Sequence, residues 1–539
     1  MYTLPKIERF NQNVLSKYHI YNSVFITLPF DAIDNTGVLL PLFAEVCDNG
    51  FKNNWSPKQI VDFFAEKYLD KPTEEEKISL LFRFIQYVER QIVLFDAIED
   101  AAFPVVNNLE GRGSLRDVKE KTEAKNKREE LINFLENFKV RTVLTAHPTQ
   151  FYPGSVLGII TDLTDAVRDN DLTKIKQLLS QLGKTPFIKK EKPTPFDEAV
   201  SLIWYLENVF YQTVGDMMHY LQKNIYEDKL FDNQIINLGF WPGGDRDGNP
   251  FVTTEITLKV AERLRTSILK CYYFDVRRLR RNLTFNGVDI LIAELENKLY
   301  RSVFYSQGEI YITISELKNQ LYVIREIIIN KHQSLYLDSV NSLIQKVNTF
   351  GFHFASLDIR QNSKIHNKVF KDIVSQLVLD EKSNFPQNYF ELSEVEKFLV
   401  LEKVNCDLSP QLFKDEITIS TLESIRAIKT IQENNGELGA NRYIISNNES
   451  ALNVMETLAL FKLSNLQNPS VDIVPLFESV DDLQNAHTIL EQLYTNKSYR
   501  NHLKQREDKQ TVMLGFSDGT KDGGYLMANW SIFKAKESI

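Results

Sequence analysis

Residues 471–479 read VDIVPLFES. A short apolar run, of a length suited to a buried strand, stops at the carboxylate of Glu478, and a helical segment follows. The same arrangement recurs at 140–145, 235–240, 352–357, 442–446 and 511–516. Long helical segments separate these runs, and 199–225 and 254–283 are the clearest. Short strands alternating with helices make parallel β-structure, as a barrel or a doubly wound sheet. Unusual residues sit just past the runs: His147, the glycine cluster 239–250, Arg360, Asn447, Glu478 and Asp518. In an α/β barrel such positions converge on one face, the usual home of catalysis. The expectation is a TIM-like α/β barrel with extensive helical insertions, predominantly α-helical overall. It reads as incomplete, because six runs stand where a barrel needs about eight.

Outward from this pattern, residues 1–130 read as helix-rich. Residues 78–94, ISLLFRFIQYVERQIVL, are apolar with Arg and Glu at helical spacing. Residues 107–130 form a charged linker, expected to be a loop or, in its Lys/Glu half, a solvated helix. An N-terminal region 1–130 and a catalytic region 131–539 follow. Residues 524–538, GYLMANWSIFKAKES, are expected to form a last helix offering Tyr525, Trp530 and Phe533 to a core. The 539 residues carry 63 Lys and Arg against 72 Asp and Glu, a net charge of −9 that argues against a nucleic-acid partner. Cys47, Cys271 and Cys406 are too scattered for a disulfide framework or a zinc site. No apolar run reaches about 18 residues, and MYTLPKIERF at the start lacks a signal-peptide core. A cytoplasmic protein without membrane contact is expected.

Five motifs carry chemistry. In 143–150, VLTAHPTQ, His147 stands between Ala146 and Pro148 at a strand end, where its ring could move a proton near neutral pH. A structural histidine is an equal reading of this octapeptide. The other seven histidines show no ligand spacing, and His353 reads as core. Residues 239–250, GFWPGGDRDGNP, are too rich in Gly and Pro for a helix or strand. They suit a tight loop whose free N–H groups and Arg246 face an anion. The Asp245, Asp247, Asn249 spacing fails as a calcium loop, because Pro250 and Ile256 occupy the places of its glycine and glutamate. In 357–363, LDIRQNS, Arg360 offers a fork to a carboxylate or phosphate; a salt bridge to Asp358 or another carboxylate competes. Residues 474–479, VPLFES, and 513–524, MLGFSDGTKDGG, each place a carboxylate after a strand, Glu478 and Asp518. Two such oxygen ligands suit Mg²⁺ or Mn²⁺ rather than zinc, with rim ion pairing as the alternative. Lys521 before a Gly-Gly helix start suits phosphate. G-x-G-x-x-G, Walker A and G-x-S-x-G motifs are absent. The basic run 277–281, RRLRR, reads as a solvated or ion-paired helix face.

Taken in this order, VLTAHPTQ, GFWPGGDRDGNP, FHFASLDIRQNS, VPLFES and MLGFSDGTKDGG resemble phosphoenolpyruvate carboxylase of the bacterial and plant type, over roughly residues 140–535. The resemblance implies carboxylation of phosphoenolpyruvate by bicarbonate, giving oxaloacetate and phosphate through carboxyphosphate and an enolate. It implies Mg²⁺ or Mn²⁺, with no biotin and no nucleotide. Glu478 and Asp518 then correspond to metal ligands and His147 to the base. Arg360 and Lys521 would neutralise substrate oxyanions, while Trp241, Gly244, Asp245 and Arg246 belong to the bicarbonate and CO₂ pocket. Three departures are visible. Gln150 replaces the usual glutamate, and Phe151-Tyr152-Pro153-Gly154 replaces the basic pair that usually follows it. The usual Ser-Asp-Ser-x-Lys-Asp-Ala-Gly reads SDGTKDGG over 517–524, which keeps Asp518 and Lys521 but loosens the loop. Family chains continue past the position of Ile539 into a glycine- and arginine-rich closing loop, and are commonly homotetramers. The chain alone is therefore expected to be inactive or nearly so. Two other readings compete: a non-catalytic short form that binds phosphoenolpyruvate, and a metal-dependent phosphatase acting on it.

Overall fold

The computed structural model describes residues 4–27, 36–109, 111–145, 152, 154–187, 193–227, 231, 235–305, 311–378, 385–404 and 406–539. Helices predominate, with short parallel strands between them. Among the described residues no helix is long and apolar enough to cross a membrane. The chain divides into two units, one of Met1–Lys125 and His147–Lys192, the other of Asn126–Ala146 and Pro193–Ile539.

The first unit is organised by the helix Glu74–Asn107, which begins at a reciprocal cap between Thr73 and Glu76. Leu80, Phe84, Tyr87, Leu94 and Ile98 recur at three- to seven-residue steps, so one stripe of this helix is buried. The helices Ser16–Thr27 and Gly154–Asp169 pack on it. Val14, Phe25, Leu94, Leu163 and Leu179 are fully buried in the shared core. One cation enters this interior. Arg90 donates from Nε to the Leu182 carbonyl (3.0 Å) and from Nη2 to that of Thr185 (2.8 Å). It thereby satisfies carbonyls at the end of the helix Leu172–Lys184.

The second unit holds the strands β1 (Val140–Leu144), β2 (Ile236–Phe240), β3 (Ser356–Leu357), β4 (Ile359–Asn362), β5 (Arg442–Ser446), β6 (Asp472–Phe477) and β7 (Met513–Leu514). Each of the six apolar runs overlaps a strand. The third lies further along the chain than read, since Phe352–Phe354 are in turns and the strand is split by Asp358 into β3 and β4. The strands form two sheets, β1-β2-β3 and β4-β5-β6-β7, in which all pairings are parallel and follow chain order. A doubly wound sheet reverses its order at a switch point, and neither of these does. An isolated bridge between Asp245 and Arg360 links the loop past β2 to β4, and the two sheets curl together. Trp241, just past β2, packs with Ile444, Val474 and Leu476 of β5 and β6. In a flat sheet those strands would stand two or three spacings away, about 10–14 Å.

Helices separate the strands. The segment read at 199–225 is the helix Pro195–Tyr205 continued to Leu221, and that at 254–283 is Thr254–Arg280. On the latter, Arg280 pairs with Glu296 and Arg278 with Asp275, so the basic run is an ion-paired face. The last helix, Phe516–Ser538, is broken at Gly524 (φ 81°). It departs from expectation. Tyr525, Trp530 and Phe533 are 69%, 57% and 56% exposed, while Ala528, Ser531 and Ala535 are buried. The helix turns its small side chains inward, which permits close approach to the helix Val480–Thr495. His353 and His366 are buried and structural. The His366 ring contacts the Tyr443 hydroxyl (2.8 Å) and Thr457 Oγ1 (3.3 Å), and burial pushes its pKa down to about 3.

A buried carboxyl makes this unit pH-sensitive. Glu456 is 6% exposed, and its Oε2 and the nearby Tyr389 hydroxyl lack hydrogen-bond partners. Burial pushes its pKa up to about 7, against the pull of Lys397 and Lys371. The unfolded chain then binds fewer protons between about pH 4.5 and 7, so this group's contribution to stability falls as pH rises through that window. The cost is complete above pH 7, on the order of 3 kcal/mol. Glu456→Gln is expected to raise the urea midpoint at pH 8.5 and leave it nearly unchanged at pH 4.5; equal midpoint shifts at both pH values would refute the assignment.

Candidate functional site

Backbone geometry sets the site before any side chain does. Past β2 the chain turns at Trp241, whose carbonyl accepts the Gly244 and Asp245 N–H groups (2.8 and 3.0 Å). The loop then joins the sheet: Arg360 N–H donates to the Gly244 carbonyl and Arg246 N–H to the Arg360 carbonyl, both at 3.0 Å. Gly244 is needed for this approach. A Cβ there would meet the Asp358 carbonyl oxygen at 2.1 Å. The glycine cluster is thus an added rung beside β4, which delivers Asp245 and Asp247 to Arg360.

Arg360 occupies the centre. Its Nη2 bonds Asp247 (2.9 Å) and lies 3.9 Å from Glu478, its Nε is 3.7 Å from Asp245, and its guanidinium stands 5.4 Å from the Trp241 ring centre. The competing sequence reading, a salt bridge to Asp358 or another carboxylate, is realised with Asp247 and not with Asp358. Burial opposes charge on Arg360, but Asp245, Asp247 and Glu478 outweigh it and raise its pKa. The carboxylates respond unequally. Burial raises Asp245 above the usual range. Asp247 is held below that range despite burial, by hydrogen bonds from Ser446, Arg360 and Asn362. Burial, then Asp518 and Asp247, push Glu478 up against the pull of Arg360.

The predicted residues do not all meet. Glu478 follows β6, and Asp518 is close enough to act on its carboxyl. Asp518 and Lys521 lie within a helical turn rather than a loop, paired at 2.7 Å on the surface. Lys521 lies just before the break at Gly524, where a new helical stretch begins, and Asp522 accepts the Val480 N–H (2.9 Å) at the start of the helix Val480–Thr495. Arg246 points elsewhere. Its guanidinium donates to the Ser420 carbonyl (3.0 Å) and to the Ser420 hydroxyl, away from Arg360. His147 lies outside the described residues.

Sequence reasoning passed over Arg141 and misassigned Asp358. The Asp358 carboxylate is 1% exposed and takes Arg141 Nη1 and Nη2 at 2.9 and 2.7 Å and Trp241 Nε1 at 3.0 Å. The available signal was a charge inside an apolar run of strand length, VRTVL at β1.

Among the described residues no group of three or more His, Cys, Asp or Glu side chains is arranged to hold a metal ion. The donor set still fits a hard divalent cation bound partly by water. Glu478 Oε1 is buried without a hydrogen-bond partner. Four carboxylates, Asp245, Asp247, Glu478 and Asp518, face two cations, Arg360 and Lys521, leaving an excess of two negative charges.

Comparison with known proteins identifies the family of the chain. The family model described as phosphoenolpyruvate carboxylase matches residues 79–303 and 290–539. Proteins named phosphoenolpyruvate carboxylase are similar to the chain in Nitrosomonas europaea (28% identity over 473 residues), Shewanella sediminis (27% over 456) and Gloeobacter violaceus (27% over 486). Each match covers 76% of this chain and 50%, 51% and 51% of the respective relative. The chain belongs to the phosphoenolpyruvate carboxylase family. It spans about half the length of the curated relatives it matches.

Gly244→Ala tests the loop's seating. The clash is with backbone, so relief requires moving the strand or the loop, at about 1–3 kcal/mol. The expected result is a lower melting temperature, whereas Gly248→Ala, at a position with open space but positive φ, should cost no more than the strain of that conformation. Equal losses would show that close approach is not what fixes Gly244.

Proposed function

We propose that this chain supplies the metal- and phosphate-facing part of a carboxylation of phosphoenolpyruvate, in which bicarbonate gives oxaloacetate and phosphate. The observation that carries the reading is Arg360 at the strand ends, ringed by carboxylates with two negative charges in excess, in a chain of this family. We read the two curled sheets as part of a TIM-like barrel, since all their strands are parallel and in chain order. The region 131–539 is the catalytic part in this reading, and 1–130 is accessory.

Glu478 and Asp518 would hold Mg²⁺ or Mn²⁺. Such an ion supplies Lewis-acid stabilisation of charge developing on phosphoryl and enolate oxygens. Arg360 adds a fixed fork of donors to the same oxyanions, already oriented by Asp247. Lys521, exposed and in a surface pair of little intrinsic strength, can exchange Asp518 for a substrate phosphate. His147 is assigned as the base that takes the proton of carboxyphosphate, releasing CO₂ beside the enolate. Trp241 gives that pocket an apolar wall, which limits protonation of the enolate by water. Gly244 and Asp245 form its floor, and Arg246 acts by anchoring the loop to Ser420. No biotin or nucleotide enters this scheme, and we place the protein in the cytoplasm. A homotetramer is expected of the full-length form.

Calorimetry tests the reading. Phosphoenolpyruvate should bind in the presence of Mn²⁺ and not in its absence, and Glu478→Gln should weaken Mn²⁺ binding by about ten-fold or more. Turnover to oxaloacetate by this chain alone is expected below about 1 s⁻¹, the low end for enzymes. Phosphate and pyruvate release without bicarbonate would point to a phosphatase. Tight metal-dependent binding with no turnover under any complementation would point to a binding protein.

A further inference from the structure

We infer that Asp358 is a positioning residue that fixes the indole of Trp241 against Arg360, with Arg141 as its clamp. The inference rests on the proposed carboxylation only for the meaning of the pocket, not for the geometry. Asp358 interrupts the third strand, and its N–H still reaches the Phe240 carbonyl (3.0 Å), so its backbone is set by β2. Its carboxylate is fully buried and receives three N–H groups: two from Arg141 on β1 and one from the indole of Trp241.

The clamp is built closely. Gly239 of β2 lies beneath the Arg141 guanidinium, where a Cβ would meet that group's atoms at 2.6–2.7 Å. Any side chain at 239 would displace Arg141 and loosen Asp358. A free indole half-buried over an apolar cluster could rotate about two side-chain torsions. With its N–H tied at 3.0 Å, the ring is held with one edge on Asp358, its body on Ile444, Val474 and Leu476, and Arg360 5.4 Å away. Among the described residues, Trp241 is the one residue assigned to substrate that hydrogen-bonds the Asp358 side chain. The effect of Asp358 on the reaction must therefore pass through the placement of that ring: a displaced indole would open the CO₂ side of the pocket to water while leaving Arg360 and Glu478 in place.

The chain has four tryptophans, so replacing Trp55, Trp204 and Trp530 by Phe isolates Trp241 as a fluorescent probe. In that background, Asp358→Leu combined with Arg141→Met removes the carboxylate and its counter-charge together, avoiding an orphaned buried ion. Acrylamide quenching of Trp241 should rise about two-fold or more, with lower anisotropy, because the indole N–H has lost its partner. Phosphoenolpyruvate affinity with Mn²⁺ should stay within about two-fold of the parent, since Arg360 and Glu478 are untouched. Bicarbonate added to the Mn²⁺–phosphoenolpyruvate complex should reduce quenching in the parent and fail to do so in the double variant.

If the double variant does not fold, Asp358→Asn decides, since one amide oxygen cannot serve three donors. Unchanged quenching and anisotropy in a folded variant would overturn the positioning role. If the parent binds no phosphoenolpyruvate, the carboxylation reading fails, whereas a rise in ligand-free quenching still confirms that Asp358 sets the ring.

Discussion

A single partly buried arginine among carboxylates organises the junction between the glycine loop and β4. Without Arg360, Asp245, Asp247 and Glu478 would repel one another across a partly desolvated space, and burial would drive them towards protonation. With it, Asp247 stays ionised while Asp245 and Glu478 are biased upwards. The result is a graded cluster. One carboxylate is spent on holding the arginine, and the others remain available to a cation. This division of labour explains why two acids in the DRD sequence, two residues apart, have different electrostatic characters.

The scaffold that supports this cluster is economical in strands and generous in helices. Strands of two to six residues leave little room for error in where each ends, since their termini carry the functional groups. The long helices fix those ends by packing, and the glycine cluster repairs the gap beside Asp358 by pairing its own backbone with the strand. Buried ions are handled in the same spirit throughout. Arg90 caps carbonyls in one unit, and Arg141 closes on Asp358 in the other. A charge withdrawn from water is tolerated when its hydrogen bonds are met. Arg90 meets this at Nε, Nη1 and Nη2, whereas Arg141 closes on Asp358 through its two Nη groups and leaves Nε without a partner.

Much of the architecture was legible because its signals are local. An apolar run of strand length that stops at Glu478 marks a strand terminus whatever the surrounding packing, whereas Arg360 lies inside β4, past the end of the run that reads as its strand. The doubly wound alternative could be dismissed only from strand order, a non-local property that no run of sequence displays. Side-chain direction was similarly hidden. Arg246 and Arg360 look equivalent as cations near a loop, yet one is drawn to Ser420 and the other to three carboxylates. Nearness in sequence offers Asp358 as one possible carboxylate for Arg360, but the partners of Asp358 come from β1 and the loop past β2, and Arg360 takes Asp247 instead. Tyr525, Trp530 and Phe533 were assigned inward on hydrophobicity alone; shape decided otherwise, since the alanine and serine stripe permits the closer helix contact.

The bonding of the glycine loop to the third strand has a bearing on motion. Amide protons of Arg246 and Arg360 are each shielded by the other's segment, and that of Asp358 by the end of β2. Lifting the loop from the strand breaks the Arg246 and Arg360 bonds at once, so neither proton is released without the other. The loop, the strand break and the strand end should open together as one cooperative exchange unit. A segment whose composition suggests a pliant surface turn would then be among the slower-exchanging parts of the chain, with its rigidity borrowed from the sheet it completes.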